Sequence, residues 1–268
     1  MKRPPRVALT IAGSDSSAGA GLQADLKTFA ARGVYGLTAV TCIVAEIPGK
    51  VTRMQPAEPS LVREQIALLL KNFPVRATKT GLLANAQIVS AVSRALRGHR
   101  EIPLVVDPVM VATSGDLLLT DDAIRVYECS LFPLATLLTP NLDEAERLLG
   151  DPIRGVRGLR AAAIALHEKY GVSILLKGGH LRGREALDVL VTKRGTHEYR
   201  APFIAGVSTH GTGCTFSAAI TAELARGASL PRAVAKAKQI VSAAIRDHFA
   251  WKNARGAKLH ALNHSAAR

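Results

Sequence analysis

The sequence centres on a glycine-containing turn that leads directly into an apolar segment. The turn reads Thr209-His210-Gly211-Thr212-Gly213-Cys214-Thr215, and residues 216–224 after it have the composition of a buried helix. Backbone N–H groups at a helix N-terminus lack intrahelical acceptors and lie at the positive end of the helix dipole. The turn therefore predicts an anion cradle, suited to a phosphate group or to the charge that develops during phosphoryl transfer.

The cysteine in this turn carries a second prediction. Cys214 falls in the first turn of the predicted helix, where the field of the helix dipole favours a thiolate. Taken alone, the same residues also fit an ordinary glycine-rich loop that caps a core helix with a small buried cysteine. The other segments of the chain decide between these two interpretations.

The size and composition of the chain favour one α/β domain over residues 1–268. The chain has 268 residues, of which 48% are hydrophobic and 4% aromatic, so it can form a sizeable core of aliphatic side chains. No run of about 18 apolar residues is present, so no transmembrane helix is expected. The basic first residues are followed by an apolar strand rather than by the core of a signal peptide.

The charge balance and the cysteines bear on partners and compartment. Lys and Arg number 35 against 21 Asp and Glu, and the formal net charge of +14 attracts anionic partners. The basic residues are spread along the chain without interleaved aromatic residues, so phosphorylated small molecules match them better than nucleic acid or a membrane. Three scattered cysteines (Cys42, Cys129 and Cys214) form no disulfide framework or metal motif and indicate a reduced, cytoplasmic enzyme.

Strand and helix patterns alternate along most of the chain. Apolar runs predict strands over residues 7–12, 37–45, 77–83, 103–106, 135–139 and 173–176, with helices between them. Such alternation is typical of a mainly parallel central sheet with helices on both faces. Residues 188–192 and 195–200 predict a small antiparallel hairpin, and helices 215–225 and 230–249 close the fold. The polar, basic tail over about 251–268 is expected to be the least ordered segment.

Charged side chains follow several of the predicted strands. Glu46, Asp107 and Lys177 each come directly after an apolar run, at the edge where open α/β sheets bind their ligands. Asp107 is suited to a hydrated Mg²⁺, and Lys177 to a nucleotide phosphate. The alternatives are a solvated loop carboxylate for Glu46 and an Asx turn before Pro108 for Asp107. Glu144, in the first turn of a further helix, also fits ordinary helix capping.

Five motifs stand in a fixed order along nearly the whole chain. They are Ala12-Gly13-Ser14-Asp15 with residues 19–28, Asp107-Pro108-Val109-Met110, residues 139–145, Lys177-Gly178-Gly179-His180 and residues 209–215. Each motif alone is weak, but five in this order are jointly specific. Together they resemble the hydroxymethylpyrimidine/phosphomethylpyrimidine kinases of thiamine biosynthesis, which belong to the ribokinase-like superfamily.

The resemblance implies a ribokinase-like fold with ATP lying across the C-terminal edges of the strands. It also implies transfer of the γ-phosphate to the 5-hydroxymethyl group of an aminopyrimidine, and then a second transfer to the monophosphate. Under this resemblance Gly211, Thr212, Gly213 and Cys214 form the anion hole, with cysteine where most sugar kinases of the superfamily have an aspartate base. Cys214 would either accept the hydroxyl proton or only orient the hydroxyl.

The resemblance further assigns residues to each ligand. Lys177 and Thr209 would face the nucleotide phosphates, with Asn141 on the same side. Glu144 would lie near Mg²⁺, for which Asp107 is the second candidate. The pyrimidine pocket would be lined by Gly13, Asp25, Glu46, Leu82 and Val109.

Glu46 departs from the family pattern, which usually has glutamine at this position. An amide both donates and accepts hydrogen bonds, whereas an ionised carboxylate only accepts them. Glu46 would pair well with a protonated pyrimidine ring nitrogen, or it marks a shifted substrate or a lost reaction. A milder departure is Ser208, where the family often has asparagine.

Two other functions are compatible with the sequence. Some pyridoxine/pyridoxal kinases share the motif set, including the cysteine, and their substrate is also a flat heteroaromatic ring with a hydroxymethyl group. A catalytically silent ligand sensor or nucleic-acid-binding protein is suggested by the basic charge, but Lys177, Asn141 and Glu144 beside an anion hole speak against it. A homodimer is expected only because dimers are the commonest closed assemblies.

Overall fold

The computed structural model describes residues 4–110, 119–179, 185–207, 210–254 and 256–266, and strands alternate with helices through these ranges. The strands are β1 (Arg6–Asp15), β2 (Val34–Ile47), β3 (Lys50–Pro56), β4 (Val75–Thr80), β5 (Leu104–Val106), β6 (Leu137–Leu138), β7 (Ser173–Lys177), β8 (Glu185–Thr192), β9 (Gly195–Pro202), β10 (Phe249–Lys252) and β11 (Lys258–Ala261). The helices are α1 (Gly21–Ala31), α2 (Pro59–Asn72), α3 (Ala86–Leu96), α4 (Asp121–Val126), α5 (Leu142–Leu149), α6 (Gly155–Tyr170), α7 (Thr212–Ala225) and α8 (Leu230–Arg246).

A central sheet joins β1 to β9 in the spatial order β3-β2-β1-β4-β5-β6-β7-β8-β9. The six strands from β2 to β7 in that order run parallel, so their carboxyl ends meet at one edge. Strand β3 pairs antiparallel with β2 at one side, and β8 and β9 continue antiparallel at the other. The predicted fold class, a mainly parallel sheet within an α/β fold, is confirmed.

Helices cover the sheet on both faces, which explains why the central strands β1, β5 and β6 are almost entirely apolar and buried. Residues 7–12 of β1 are buried without alternation, as expected for a strand packed from both sides. On one face Phe216 of α7 and Val234 of α8 pack in one cluster over Val105. On the other face Ile66 of α2 belongs to a larger cluster with α3, α5 and α6. None of the helices in the described ranges has the length and apolar character needed to cross a bilayer.

The structure departs from the predicted elements mainly at polar segments. The predicted hairpin is present, with Thr192 paired to Gly195. Strand β3 was missed because its exposed positions outnumber its apolar ones. Helix α8 ends at Arg246 rather than at Phe249, which instead begins β10. The described part of the tail contains the antiparallel pair β10–β11 and a buried His264, which the sequence did not predict.

Candidate active site

A cleft of about 400 Å³ lies at the carboxyl edge of the parallel strands. Its walls include twelve of the predicted site residues: Gly13, Glu46, Leu82, Asp107, Val109, Asn141, Glu144, Lys177, Gly211, Thr212, Gly213 and Cys214. Two predicted residues are not among them. Asp25 is fully buried away from the cleft wall, and Thr209, like Ser208, lies outside the described residues.

Helix α7 builds the predicted anion cradle. Gly211 is its N-cap residue and has a left-handed conformation with φ of 79°. A Cβ atom at Gly211 would lie 1.8 Å from the carbonyl oxygen of Gly19, so a side chain here would collide with backbone. The N–H groups of residues 212–214 belong to the first turn, where intrahelical acceptors are lacking. Two glycine turns, one before α1 and one before α7, thus pack directly against each other at the cleft.

Cys214 lies in this first turn as a thiol. Burial raises its pKa to about 12, although the positive charge of Lys79 and a hydrogen bond from the Gly21 N–H favour the thiolate. The negative charges of Asp107 and Asp25 raise the pKa further. The helix terminus therefore does not outweigh desolvation, and the stabilised thiolate expected from the sequence is not what this environment favours.

Lys177 and Asp107 form a buried ion pair beside the cradle. Lys177 Nζ donates to Asp107 Oδ1 at 2.9 Å, and the hydroxyl of Thr139 donates to the same oxygen at 3.1 Å. The hydroxyl of Ser217 donates to Oδ2 at 3.1 Å. Burial opposes ionisation of Asp107, but the positive charge of Lys177 outweighs it and lowers the pKa of the carboxyl group. A Cβ atom at Gly213 would lie 3.2 Å from Nζ, so the ammonium group touches the cradle.

Asn141 and Glu144 form a capping box at the start of α5. The Oδ1 atom of Asn141 accepts the N–H of Glu144 at 2.9 Å, and Glu144 Oε2 accepts the N–H of Asn141 at 2.8 Å. Burial raises the pKa of Glu144 to about 8, because the charge of Lys177 only partly offsets burial and the charge of Asp107 adds to it. A buried carboxyl group in this state gains from a nearby cation. The capping interpretation of Glu144 is therefore correct. The part of the cleft lined by Asp107 and Glu144, here called the acidic corner, remains suited to a metal ion.

Asp15 and His210, to which the sequence analysis gave no role, organise the opposite end of the cleft. The carboxylate of Asp15 accepts hydrogen bonds from the N–H groups of Ser17, Gly19 and Ala20 and from the Ser17 hydroxyl. His210 Nε2 lies 3.1 Å from Asp15 Oδ2. Burial by itself raises the pKa of Asp15, but these hydrogen bonds outweigh burial and lower the pKa to about 2. Asp15 thereby ties the turn before α1 to the turn before α7.

Glu46 lies beside the Asp15–His210 pair and lines the cleft. Ligand atoms of Glu46, Asp15 and His210 all fall within 4.8 Å of one another. Burial and the negative charge of Asp15 raise the pKa of Glu46 to about 7, although His210 opposes the shift. The oxygens of Asp15 are occupied by hydrogen bonds, so the chemistry that this end offers a ligand comes from Glu46 and His210, both of which line the cleft.

The prediction that Asp25 lines the substrate pocket is not supported by its position. Its Oδ2 atom accepts the ammonium group of Lys79 at 2.9 Å and the hydroxyl of Thr10 at 2.6 Å. Both side chains of the ion pair are fully buried. A Cβ atom at Gly81, which lines the cleft, would lie 3.1 Å from Lys79 Nζ. Asp25 thus holds a cation beneath the cleft floor, and the only sequence signal was a lysine within an apolar strand.

The end of the cleft beyond Lys177 was not predicted. It is lined by the apolar residues Phe203, Ile204, Phe216, Val241 and Ile245. A buried ion pair lies beside them, with Lys238 Nζ 2.6 Å from Asp188 Oδ2, and Asp188 also accepts the Gly178 N–H at 3.1 Å. Such an apolar slot suits a flat ring. In the sequence, the α8 residues had only the periodicity of core positions.

Comparisons with known proteins agree with this site. Residues 15–258 match the phosphomethylpyrimidine kinase family. The thiamine biosynthesis bifunctional protein ThiED of Geobacter sulfurreducens is 43% identical over 238 residues, which are 89% of this chain and 49% of that protein. A hydroxymethylpyrimidine/phosphomethylpyrimidine kinase of Staphylococcus aureus is 42% identical over 243 residues, 90% of this chain and 88% of that one. The chain therefore spans about half of the first relative and most of the second.

A solved structure resembles the chain over almost its full length. Bacillus subtilis pyridoxal kinase, in a complex with ADP, superimposes with a TM-score of 0.88 at 37% identity, covering 98% of both chains. The family match includes the cradle, Lys177 and the capping box of α5. This chain belongs to the phosphomethylpyrimidine kinase family.

Proposed function

We propose that this protein uses ATP to phosphorylate 4-amino-5-hydroxymethyl-2-methylpyrimidine and then its monophosphate, in thiamine biosynthesis. The observation that carries the proposal is that the cradle at residues 211–214 lines one cleft together with residues of both ends of the carboxyl edge of the sheet. Glu46, Leu82 and Val109 lie at one end, and the apolar slot lies at the other. A phosphoryl group moving between two flat rings would pass the first turn of α7.

In this proposal the first turn of α7 stabilises the phosphoryl group as charge spreads over its oxygens. Lys177, fixed by Asp107, adds a positive charge beside the same turn. Such groups act without reorganising, which is the main contribution a protein makes to phosphoryl transfer. Since burial favours the neutral thiol, Cys214 orients the substrate hydroxyl rather than removing its proton.

The acidic corner of the cleft fits Mg²⁺. Asp107 and Glu144 supply hard oxygen donors, and because burial raises the pKa of Glu144 to about 8, a nearby cation would favour its ionised form. The oxygens of Asp107 already accept hydrogen bonds from Lys177, Thr139 and Ser217. Because Mg²⁺ in proteins usually keeps several of its waters, a water molecule could bridge the ion and the Asp107 carboxylate. Held by Asp107 and Glu144, an ion there would neutralise charge on the nucleotide phosphates. Lys177, Asn141 and Thr209 are the proposed residues on the nucleotide side.

The remaining properties follow from the same proposal. We propose a single kinase domain over residues 1–268 that binds small molecules rather than nucleic acid or membrane. The cysteines Cys42, Cys129 and Cys214 are free thiols, which fits a reduced, cytoplasmic location. A homodimer is the proposed assembly on the frequency of closed dimers.

A second candidate function is pyridoxal phosphorylation. It is favoured by the likeness to Bacillus subtilis pyridoxal kinase, which extends over more of the chain than the family match does. Pyridoxal also presents a hydroxymethyl group on a flat ring, so the same cradle would serve it. The identity of the side chains at the Glu46 end, rather than the phosphate chemistry, separates the two substrates.

The test is an ATP-consumption assay run in parallel on the hydroxymethylpyrimidine, its monophosphate and pyridoxal, without nucleic acid. We expect turnover of both pyrimidines. Turnover of pyridoxal alone would establish the second candidate instead. No turnover of any of the three would contradict both and favour a silent ligand sensor.

A further inference from the structure

The C-terminal segment contacts the helix that carries the anion cradle. His264 Nε2 lies 3.1 Å from the hydroxyl oxygen of Thr215, in the first turn of α7. Both side chains are buried, with His264 7% exposed and Thr215 fully enclosed. The same hydroxyl donates to the carbonyl oxygen of Gly211 at 2.8 Å, and the Thr215 N–H donates to that oxygen at 2.9 Å. One threonine therefore links the tail to the N-cap glycine of the cradle.

The contact is part of a docked segment rather than an isolated side chain. Leu262, two residues earlier, is 2% exposed, and the N–H of Asn263 donates to the carbonyl oxygen of Ala244 in α8 at 3.2 Å. The family match ends at residue 258, so these residues lie beyond it. The tail thus brings a buried ring nitrogen within hydrogen-bond distance of α7 from outside the five motifs.

We propose that His264 is a positioning residue for the anion cradle, acting through Thr215 on the carbonyl group of Gly211. The inference rests on the proposed role of the cradle in phosphoryl transfer. The Nε2 atom of His264 and the carbonyl oxygen of Gly211 both lie within hydrogen-bond distance of the Thr215 hydroxyl, so the ring restrains the rotamer of that hydroxyl. The peptide planes of the first turn are then held in one orientation, and their N–H groups stay aimed into the cleft.

The surroundings of Gly211 make this restraint consequential. Its left-handed conformation and its contact with Gly19 leave a backbone that is crowded on one side. The capping bond from Thr215 holds the other side, and a buried threonine hydroxyl without a second partner is free to rotate away. A small rotation of the first turn misdirects donors that must meet the transferring group, and misplaced donors lower the rate more than they lower substrate binding.

The test uses His264→Phe, which keeps a ring but removes its hydrogen-bonding nitrogens, and His264→Gln, whose amide can either donate or accept. His260→Phe is the matched control, because His260 is on the same tail and contacts His248 instead. We expect kcat of His264→Phe to fall about tenfold or more while KM for ATP and for the pyrimidine changes less than about threefold. His264→Gln should recover most of kcat, and His260→Phe should stay within about twofold of wild type.

A second readout needs no turnover. Hydrogen–deuterium exchange at the amide of Thr215, which donates to Gly211 in the first turn of α7, should be faster in His264→Phe than in wild type, with no substrate present. Thr215→Val removes this bond together with the hydroxyl bond to Gly211, so the double variant should lose no more kcat than Thr215→Val alone if His264 acts through Thr215. Thr215→Val and His264→Gln remain available if His264→Phe does not fold.

Three results would overturn the inference. They are unchanged kcat in His264→Phe, equal losses in the Phe and Gln variants, or unchanged exchange at the first turn of α7. Absence of turnover in the wild-type protein would instead contradict the proposed function, and the exchange experiment would still decide whether His264 positions the cradle.

Discussion

Lys177 and Asp107 lie at the ends of strands β7 and β5, with β6 between them, yet their charged atoms are 2.9 Å apart. Thr139, the residue after β6, donates to the same carboxylate and fills the gap. The ion pair therefore joins three consecutive strand ends beneath the cradle. It fixes the one ammonium group that touches Gly213 in the described part of the cleft.

Replacing Asp107 with asparagine should destabilise the fold and slow turnover. The change leaves the ammonium group of Lys177 buried without its counter-charge, which costs about 3 kcal/mol of unfolding free energy. Urea unfolding measures this loss, and steady-state kinetics should show a lower kcat. Glu185→Gln is the matched control, because both side chains of its pair with Arg200 are about half exposed and solvent screens their attraction. Equal losses in the two variants would contradict the buried-pair argument.

Cys214→Ala should lower kcat by about 100-fold with little change in melting temperature, since a small thiol contributes little packing. If the thiol orients the substrate hydroxyl, Cys214→Ser should keep clearly more activity than the alanine variant. Steady-state kinetics on all three proteins measures the difference, with the exposed Cys129→Ala as control. Full activity in Cys214→Ala would exclude both roles, and equal loss in the Ser and Ala variants would favour the proton-accepting role.

Glu46→Gln should preserve or improve use of the aminopyrimidine, because an amide both donates and accepts. It should also change the pH dependence of stability. The pKa of Glu46 is raised to about 7 from 4.5, so the folded state holds a proton that the unfolded state releases, and wild type loses stability as pH rises across that interval. Thermal unfolding at pH 5 and pH 8 should show a larger gain for the variant at pH 8. Complete loss of pyrimidine binding would instead identify the carboxylate as a dedicated substrate ligand.

His264 should make the protein sensitive to acid. Burial and the positive charge of Lys27 lower its pKa to about 4 from 6.5, so the unfolded state binds a proton that the folded state excludes. Stability is then present above about pH 6.5 and is lost as pH falls towards 4, by at most about 3 kcal/mol. The free energy of unfolding of His264→Gln, measured with urea, should fall less between pH 6.5 and pH 4 than that of wild type. An equal fall in the two proteins would mean that other groups cause the acid sensitivity.

Most of the fold could be predicted because its signals are local. The apolar runs that became β1 and β7 are short, mostly buried and bounded by glycine or charged residues, and that of β2 alternates as a half-buried strand does, so these patterns do not depend on distant partners. The polar strand β3 and the tail strands could not be predicted, since their pairing depends on strand edges supplied by the rest of the molecule.

The properties of the candidate site likewise divide into those that the sequence order predicts and those that depend on tertiary packing. By itself the sequence determined the cradle at residues 211–214 and the positions of Glu46, Asp107 and Lys177, because glycine turns and strand ends are visible as residue order. Only the tertiary structure decided that Asp25 turns away from the cleft to pair with Lys79 and that Cys214 is a thiol. Burial and counter-charges set both outcomes, and they come from residues far apart in the chain.

The same reason applies to the residues that the sequence analysis left without a role. Asp15 meets His210 across 195 positions, and Thr215 meets His264 across 49. A hydrogen bond between such residues exists only after the sheet, α1, α7 and the tail have packed. The order of residues determined which chemistry the chain carries, and packing decided which of those groups share the site and in which charge state, because desolvation depends on everything that surrounds a group.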